Sequence, residues 1–260
     1  MYWIPDGTLE AFGLYLVRTS ALVLAAPLLG LSTSVSSAKV GLIGVLSLVL
    51  FFAGGAPLGY SPGPMEFALL AGREVAIGLF LALIMHMVVL AVRVAGVMIG
   101  HEMSFNMSSL VSPSTGESAP VVAFLYETLF MLALLSADAH LWLVRALFAS
   151  YERAPVGRLD WSQGASESLV NIFTQLFKAG LTFAAPVMVL LSMVSVLMGL
   201  LIRVVPQINV IEFGFSLRVV GGLLAMLLFS PWIAPASEHL LDLLMVHLSS
   251  GLDALEVTRG

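Results

Sequence analysis

The chain has 260 residues, 59% of them hydrophobic and 10% charged, with a mean hydropathy of +1.02. A soluble domain carries about a quarter charged residues, so this composition excludes one and points to an integral membrane protein. The absence of cysteine excludes disulfides, thiolate metal sites and cysteine nucleophiles, and a net charge of −5 argues against nucleic acid as a partner.

The N-terminus, MYWIPDGTLEAF, lacks a basic region and carries Asp6 and Glu10, so it does not read as a cleaved signal peptide. The first apolar run, Phe12 to Leu31, is long enough to span a bilayer core, but Arg18 interrupts it and Pro27 should kink or end it. A serine-rich turn follows. Val40 to Leu58 is free of charge and broken at Gly54-Gly55, after which Pro57, Pro62, Gly63 and Pro64 make a rigid connector. The third run, Met65 to Val92, holds Arg73, Glu74 and His86, and Val94 to Ile99 extends it to Gly100. The fourth, Val121 to Leu147, includes Glu127, Asp138 and His140. A polar segment from Tyr151 to Glu167 ends with signals for a new helix near Ser166. The fifth run, Ala179 to Ile202, carries no charge and is broken by Arg203, Pro206 and Gln207. The sixth, Val219 to Ala234, precedes an amphipathic helix from Glu238 to Leu252.

The expected fold class is therefore an all-α membrane protein, with about six hydrophobic, kinked helical segments in a single unit spanning 1–260. The runs are too long and too uniformly apolar for barrel strands.

Between the third and fourth runs lies Glu102 to Pro120, EMSFNMSSLVSPSTGESAP. Its Ser-Pro-Ser-Thr-Gly sequence is strong turn chemistry. Yet Met103, Phe105, Met107, Leu110 and Val111 make its first half too apolar for an ordinary solvated loop. Two readings stand side by side. Either this is irregular backbone packed inside protein or lining a cavity, the setting in which it survives at membrane depth, or it is an extramembrane connector with buried anchors.

Basic residues do not orient the chain. Alternating segments put Lys39, Arg93, Arg203 and Arg218 on one side and Arg153, Arg158, Lys178 and Arg259 on the other. Arg18, Arg73, Glu74, Glu127 and Asp138 lie within or at the edge of apolar runs, where charge is costly unless it faces protein or water. Helices packed mostly against other protein would account for them. Snorkelling to the interface would explain Arg18 and Arg145, but not Glu127. Glu127 and Asp138, three turns apart in one run, are expected on the same helix face.

An enzymatic reading finds little support. His101-Glu102 lacks the second histidine of a zinc-protease motif, no Gly-x-Ser-x-Gly occurs, and His239 with Asp242 offers a metal no third ligand. No cofactor is expected. Two binding-type classes remain: a small-solute secondary transporter with a site at mid-depth, and a subunit of a protein-conducting assembly.

The run GLLIRVVPQINVIEFGFSLRVVGGLL, Gly199 to Leu224, resembles the signature of the FliR/SctT family of type III secretion export-gate proteins. Arg203, Pro206 and Gln207 match its basic residue with Pro-Gln. Ile211-Glu212-Phe213-Gly214-Phe215-Ser216-Leu217 matches its apolar stretch, with Ser216 where the family has proline. VRVAGVMIGHEMSF (Val92 to Phe105), DAHLWLV (Asp138 to Val144) and PWIAPASEHLLDLL (Pro231 to Leu244) fit in order. The family's Asp-Pro in the central loop is Ser112-Pro113 here.

The resemblance implies a subunit that joins FliP-like and FliQ-like subunits, with a FlhB-like subunit nearby, in a closed channel for unfolded substrate proteins. Such a gate sits in the bacterial inner membrane, within a flagellar basal body or an injectisome, with much of the assembly raised towards the periplasm. Its subunits form kinked helical hairpins. The central loop would be a plug, mapping onto Met103, Phe105, Asn106, Met107, Leu110, Val111 and Pro113. Met98, Met103 and Met107 would suit a seal that yields to a polypeptide, because unbranched thioethers repack around irregular surfaces, though gap-filling in a core is an equal reading. Glu127, Asp138, Arg203, Pro206, Gln207, Glu212, Phe213, Gly214 and Phe215 would meet partner subunits. For Arg203 and Glu212 a second reading is open, in which they satisfy carbonyls freed at Pro206.

Overall fold

Helix ends follow the local chemistry of the chain closely. In the computed structural model, which describes residues 5–28, 37–104, 121–157, 164–204 and 213–228 together with 242 and 246, the regular structure is entirely helical among the described residues. Helix α1 runs from Thr8–Ala25 and stops where the residue before Pro27 is driven out of the α region, Ala26 having φ −71° and ψ 127°. Helix α2, Ser37–Gly54, ends at the glycine pair, and α3, Pro64–Glu102, starts on a proline, whose missing N–H is harmless in a first turn. At 39 residues α3 is about twice the ~20 residues that a bilayer core requires.

The expected fourth run is two helices, α4 (Val121–Ser136) and α5 (Ala139–Arg153). The break falls at Asp138, which adopts a left-handed conformation (φ 56°) and whose carbonyl accepts from the Leu141 amide at 2.9 Å. Short polar side chains tolerate that region better than most. The argument that put Glu127 and Asp138 on one face needs a continuous helix, and so it does not hold. Helix α6, Gly164–Val204, has 41 residues and contains Pro186; helix α7 spans Phe213–Leu228. Of these, α1, α2, α3 and the Ala184–Leu201 part of α6 are each long and apolar enough to cross a membrane, and α4 with α5 makes a fifth candidate as a broken span.

The chain packs as two compact units, Met1–Met87 with Asp138–Phe173 and Leu243–Gly260, and Val88–Ala137 with Thr174–Asp242. In the first, α1 packs against α2, and the core gathers Leu14, Leu22, Leu70, Ile77, Leu81, Ile84, Leu143 and Leu147. Gly78 governs how closely α1 can lie on α3: a methyl there would come within 2.6 Å of the Arg18 carbonyl. In the second unit the core holds Val92, Ile99, Met103, Tyr126, Phe130, Leu134, Leu191 and Ala225. Two more glycines set approaches there, Gly96 against the Ala123 backbone and Gly180 against the Ala91 carbonyl, at 2.5 and 2.6 Å from where a Cβ would stand.

Candidate functional site

The first unit is built around a buried charge network. Arg18 is fully buried on α1, and its Nε and Nη2 both donate to one carboxylate oxygen of Glu74 on α3. Its Nη1 donates to Ser150 Oγ at 3.1 Å and its Nη2 to the Ala154 carbonyl at 2.9 Å. The guanidinium lies 4.3 Å from the centre of the Tyr151 ring, which stacks on Tyr15 with centroids 4.0 Å apart. Arg73 donates to the other Glu74 oxygen and to the Pro155 carbonyl, each at 3.1 Å.

Two arginines against one carboxylate leave a surplus positive charge. The Ala154 and Pro155 carbonyls lie just past the C-terminal end of α5, where the helix dipole is negative and carbonyls need donors. The arginines of α1 and α3 thus cap α5 from outside it. The Tyr151 hydroxyl donates to the Tyr15 carbonyl at 3.0 Å, so Thr19, 3.2 Å from that hydroxyl, is the donor to it. Reading Arg18 as a snorkelling side chain is therefore overturned. Nor do Arg18 and Glu74 need another protein for shielding, because each neutralises the other inside the chain.

In the second unit, Glu127 on α4 pairs with Arg93 on α3 at 3.7 Å, with 29% and 52% of their side chains exposed. This pair stands on the outer surface of apolar helices. Met103, at the end of α3, is fully buried, and Ser104 beyond it is left-handed (φ 61°). Arg218 of α7 donates to Ser104 Oγ at 3.0 Å, and a methyl on Gly222 would come within 2.6 Å of the Met103 sulfur. Phe213 and Phe215 are exposed, Gly214 lies in ordinary contact range of the Met198 side chain, and Arg203 is exposed near the end of α6. Asp138 is exposed at its helix break, in the first unit, whereas Glu127 belongs to the second. Phe105, Asn106, Met107, Leu110, Val111, Pro113, Pro206, Gln207 and Glu212 lie outside the described residues.

An apolar groove of about 580 Å³ runs along α6, lined by Leu181, Met188, Met193 and Leu197 among others, with Ser192 its one polar lining residue among the described residues. No three His, Asp or Glu side chains among the described residues gather closely enough to hold a metal ion. Sequence reasoning picked out Arg18, Arg73 and Glu74 as misplaced charges but did not pair them. It gave no role to Ser150 or Ser104, and read Tyr151 only as the start of a polar segment and Arg218 only as a loop cation.

Residues 9–244 match the model of the family described as bacterial export proteins, family 1. The flagellar biosynthetic protein FliR of Escherichia coli (strain K12) is 32% identical over 226 residues, 86% of each chain. The protein of the same name from Pectobacterium carotovorum is 31% identical over 225 residues, 86% of this chain and 85% of the relative. That from Bacillus subtilis (strain 168) is 28% identical over 212 residues, covering 80% and 82%. The motifs, the apolar helices and these matches agree: the chain is a membrane protein of the FliR/SctT family of bacterial export proteins.

Proposed function

We propose that this chain is the FliR-like subunit of a flagellar type III export gate, assembled with FliP-like, FliQ-like and FlhB-like subunits around a closed channel for unfolded polypeptides. The observation that carries this reading is likeness across 86% of both chains to a protein named for flagellar biosynthesis. The surface chemistry supports it. An arginine that is half exposed, paired across 3.7 Å with a carboxylate on an apolar helix, needs neighbouring protein or water to be tolerated in a membrane. Helices of 39 and 41 residues exceed a bilayer core, as expected of a subunit rising towards the periplasm within a larger assembly.

A self-contained solute permease is less well supported. The buried Arg18, Arg73 and Glu74 of the first unit bond within one network and to backbone carbonyls, and the α6 groove offers a solute little beyond apolar side chains. In the proposed gate this chain supplies no chemistry. It contributes a wall and, through the loop that follows Ser104, the plug. Deleting Ser108 to Glu117 should leave the complex intact and make it leaky to ions. Unchanged conductance together with unchanged secretion would overturn the plug.

A further inference from the structure

The two residues that follow α3, Met103 and Ser104, are held by α7. Ser104 and Asp138 are the non-glycine residues with left-handed φ among the described residues. Helices commonly end on a left-handed residue, usually glycine, and a residue that carries a β-carbon pays free energy to take that conformation. At Asp138 the break between two helices accounts for it. At Ser104 the amide donates to the His101 carbonyl and the Met103 amide to the Ile99 carbonyl, both at 3.0 Å, so α3 tightens into a left-handed end. Arg218 then reaches the Ser104 hydroxyl from α7, 114 residues along the chain.

One turn beyond Arg218, Gly222 lets α7 settle directly on Met103. Residues four apart on a helix share a face, so a single face of α7 grips both Met103 and Ser104. The Arg218 Nε is buried and has no hydrogen-bond partner among the described residues.

We propose that Arg218 is a positioning residue that imposes the left-handed end on α3 and so sets the direction in which the chain leaves Ser104 for the central loop. Any displacement of α7 would be transmitted to that exit through one hydrogen bond and one sulfur contact. The inference rests on the plug reading for its meaning in transport, but its geometry does not depend on that reading.

The absence of cysteine makes a direct test possible. Ser108→Cys is introduced alone, and its labelling by a membrane-impermeant maleimide is timed in the complex as co-purified. Arg218→Gln should raise the rate by about tenfold or more, the effect of losing a hydrogen bond to a charged group that holds the exit in place, and Ser104→Ala should raise it as well. Arg218→Lys should reverse part of that rise. The decisive variant adds Ser104→Gly, since glycine holds the left-handed conformation without help. In that background Arg218→Gln should have little further effect. An unchanged rate in both Arg218→Gln and Ser104→Ala, or no rescue by glycine, would overturn the proposal. If the plug reading alone is wrong, the labelling pattern persists while ion leak stays constant in every variant.

Discussion

Arg18 and Glu74 meet through two guanidinium nitrogens on one carboxylate oxygen, in a site closed to solvent. Glu74 is at the same time the anion on which Arg73 rests. Removing the carboxylate therefore leaves two buried cations facing each other. We expect Glu74→Ala to destabilise the chain by about 3–5 kcal/mol, the cost of breaking a buried pair on one side. Replacing Arg18, Arg73 and Glu74 together by Met, Leu and Leu should cost much less, because no buried charge then stays unmatched. Thermal melting of the detergent-solubilised protein would rank the two. A triple variant no more stable than Glu74→Ala would contradict this account.

Gly78 and Gly72 offer a matched contrast on the same helix. Alanine at Gly78 would place a methyl 2.6 Å from the Arg18 carbonyl, whereas nothing lies within 4 Å of the position at Gly72. Gly78→Ala should destabilise by about 1–3 kcal/mol as overpacking. Gly72→Ala should be neutral or stabilise by up to about 1 kcal/mol from helix propensity. Equal melting temperatures for the two would mean that α1 does not approach α3 so closely.

The Arg93–Glu127 pair should matter to assembly far more than to folding. Exposed ion pairs contribute about 0–1 kcal/mol, so Arg93→Ala should leave the isolated chain almost as stable. If the pair faces partner subunits, the same variant should lower co-purification of the FliP- and FliQ-like chains several-fold. Carbodiimide labelling of Glu127 should also be slower in the complex than in the isolated chain. Equal labelling in both would remove the case for shielding.

Pro206 and Gln207 follow the last described residues of α6. Proline there removes one backbone donor, and the glutamine amide has both a donor and an acceptor to offer in exchange. Joint replacement by Pro206→Ala and Gln207→Leu is expected to weaken docking to partner subunits, read as loss of co-purification. Full recovery of complex and secretion would make this segment a plain connector.

Much of the helical layout was legible because apolar runs ended at residues that end helices for backbone reasons. Pro27, the Gly54-Gly55 pair and Pro64 are such residues, and α1, α2 and α3 respect them. The break at Asp138 was hidden because neither glycine nor proline marks it, and an aspartate in an apolar run looks first like a buried charge. The pairing of Arg18 with Glu74 was hidden for a different reason. The partners are 56 residues apart, and what brings them together is the lack of a side chain at Gly78, which no periodicity reports. Arg218 was read as a loop cation because the sixth apolar run was expected to start one residue after it, whereas α7 begins at Phe213.

The Arg18 network also bears on how the chain enters a membrane. At ribosomal speeds of about 5–20 residues per second, Glu74 is synthesised roughly 3–11 s after Arg18, and Ser150, 132 residues later, roughly 7–26 s after it. Until Glu74 is made, α1 carries an arginine whose every side-chain partner is still missing. An unpaired arginine within a span costs roughly 2.5–3.5 kcal/mol on insertion scales, so the first segment is expected to settle in lipid less firmly until the third segment brings its counter-ion and the fifth helix its carbonyls. A ribosome stalled before residue 74 should then leave α1 extractable at alkaline pH.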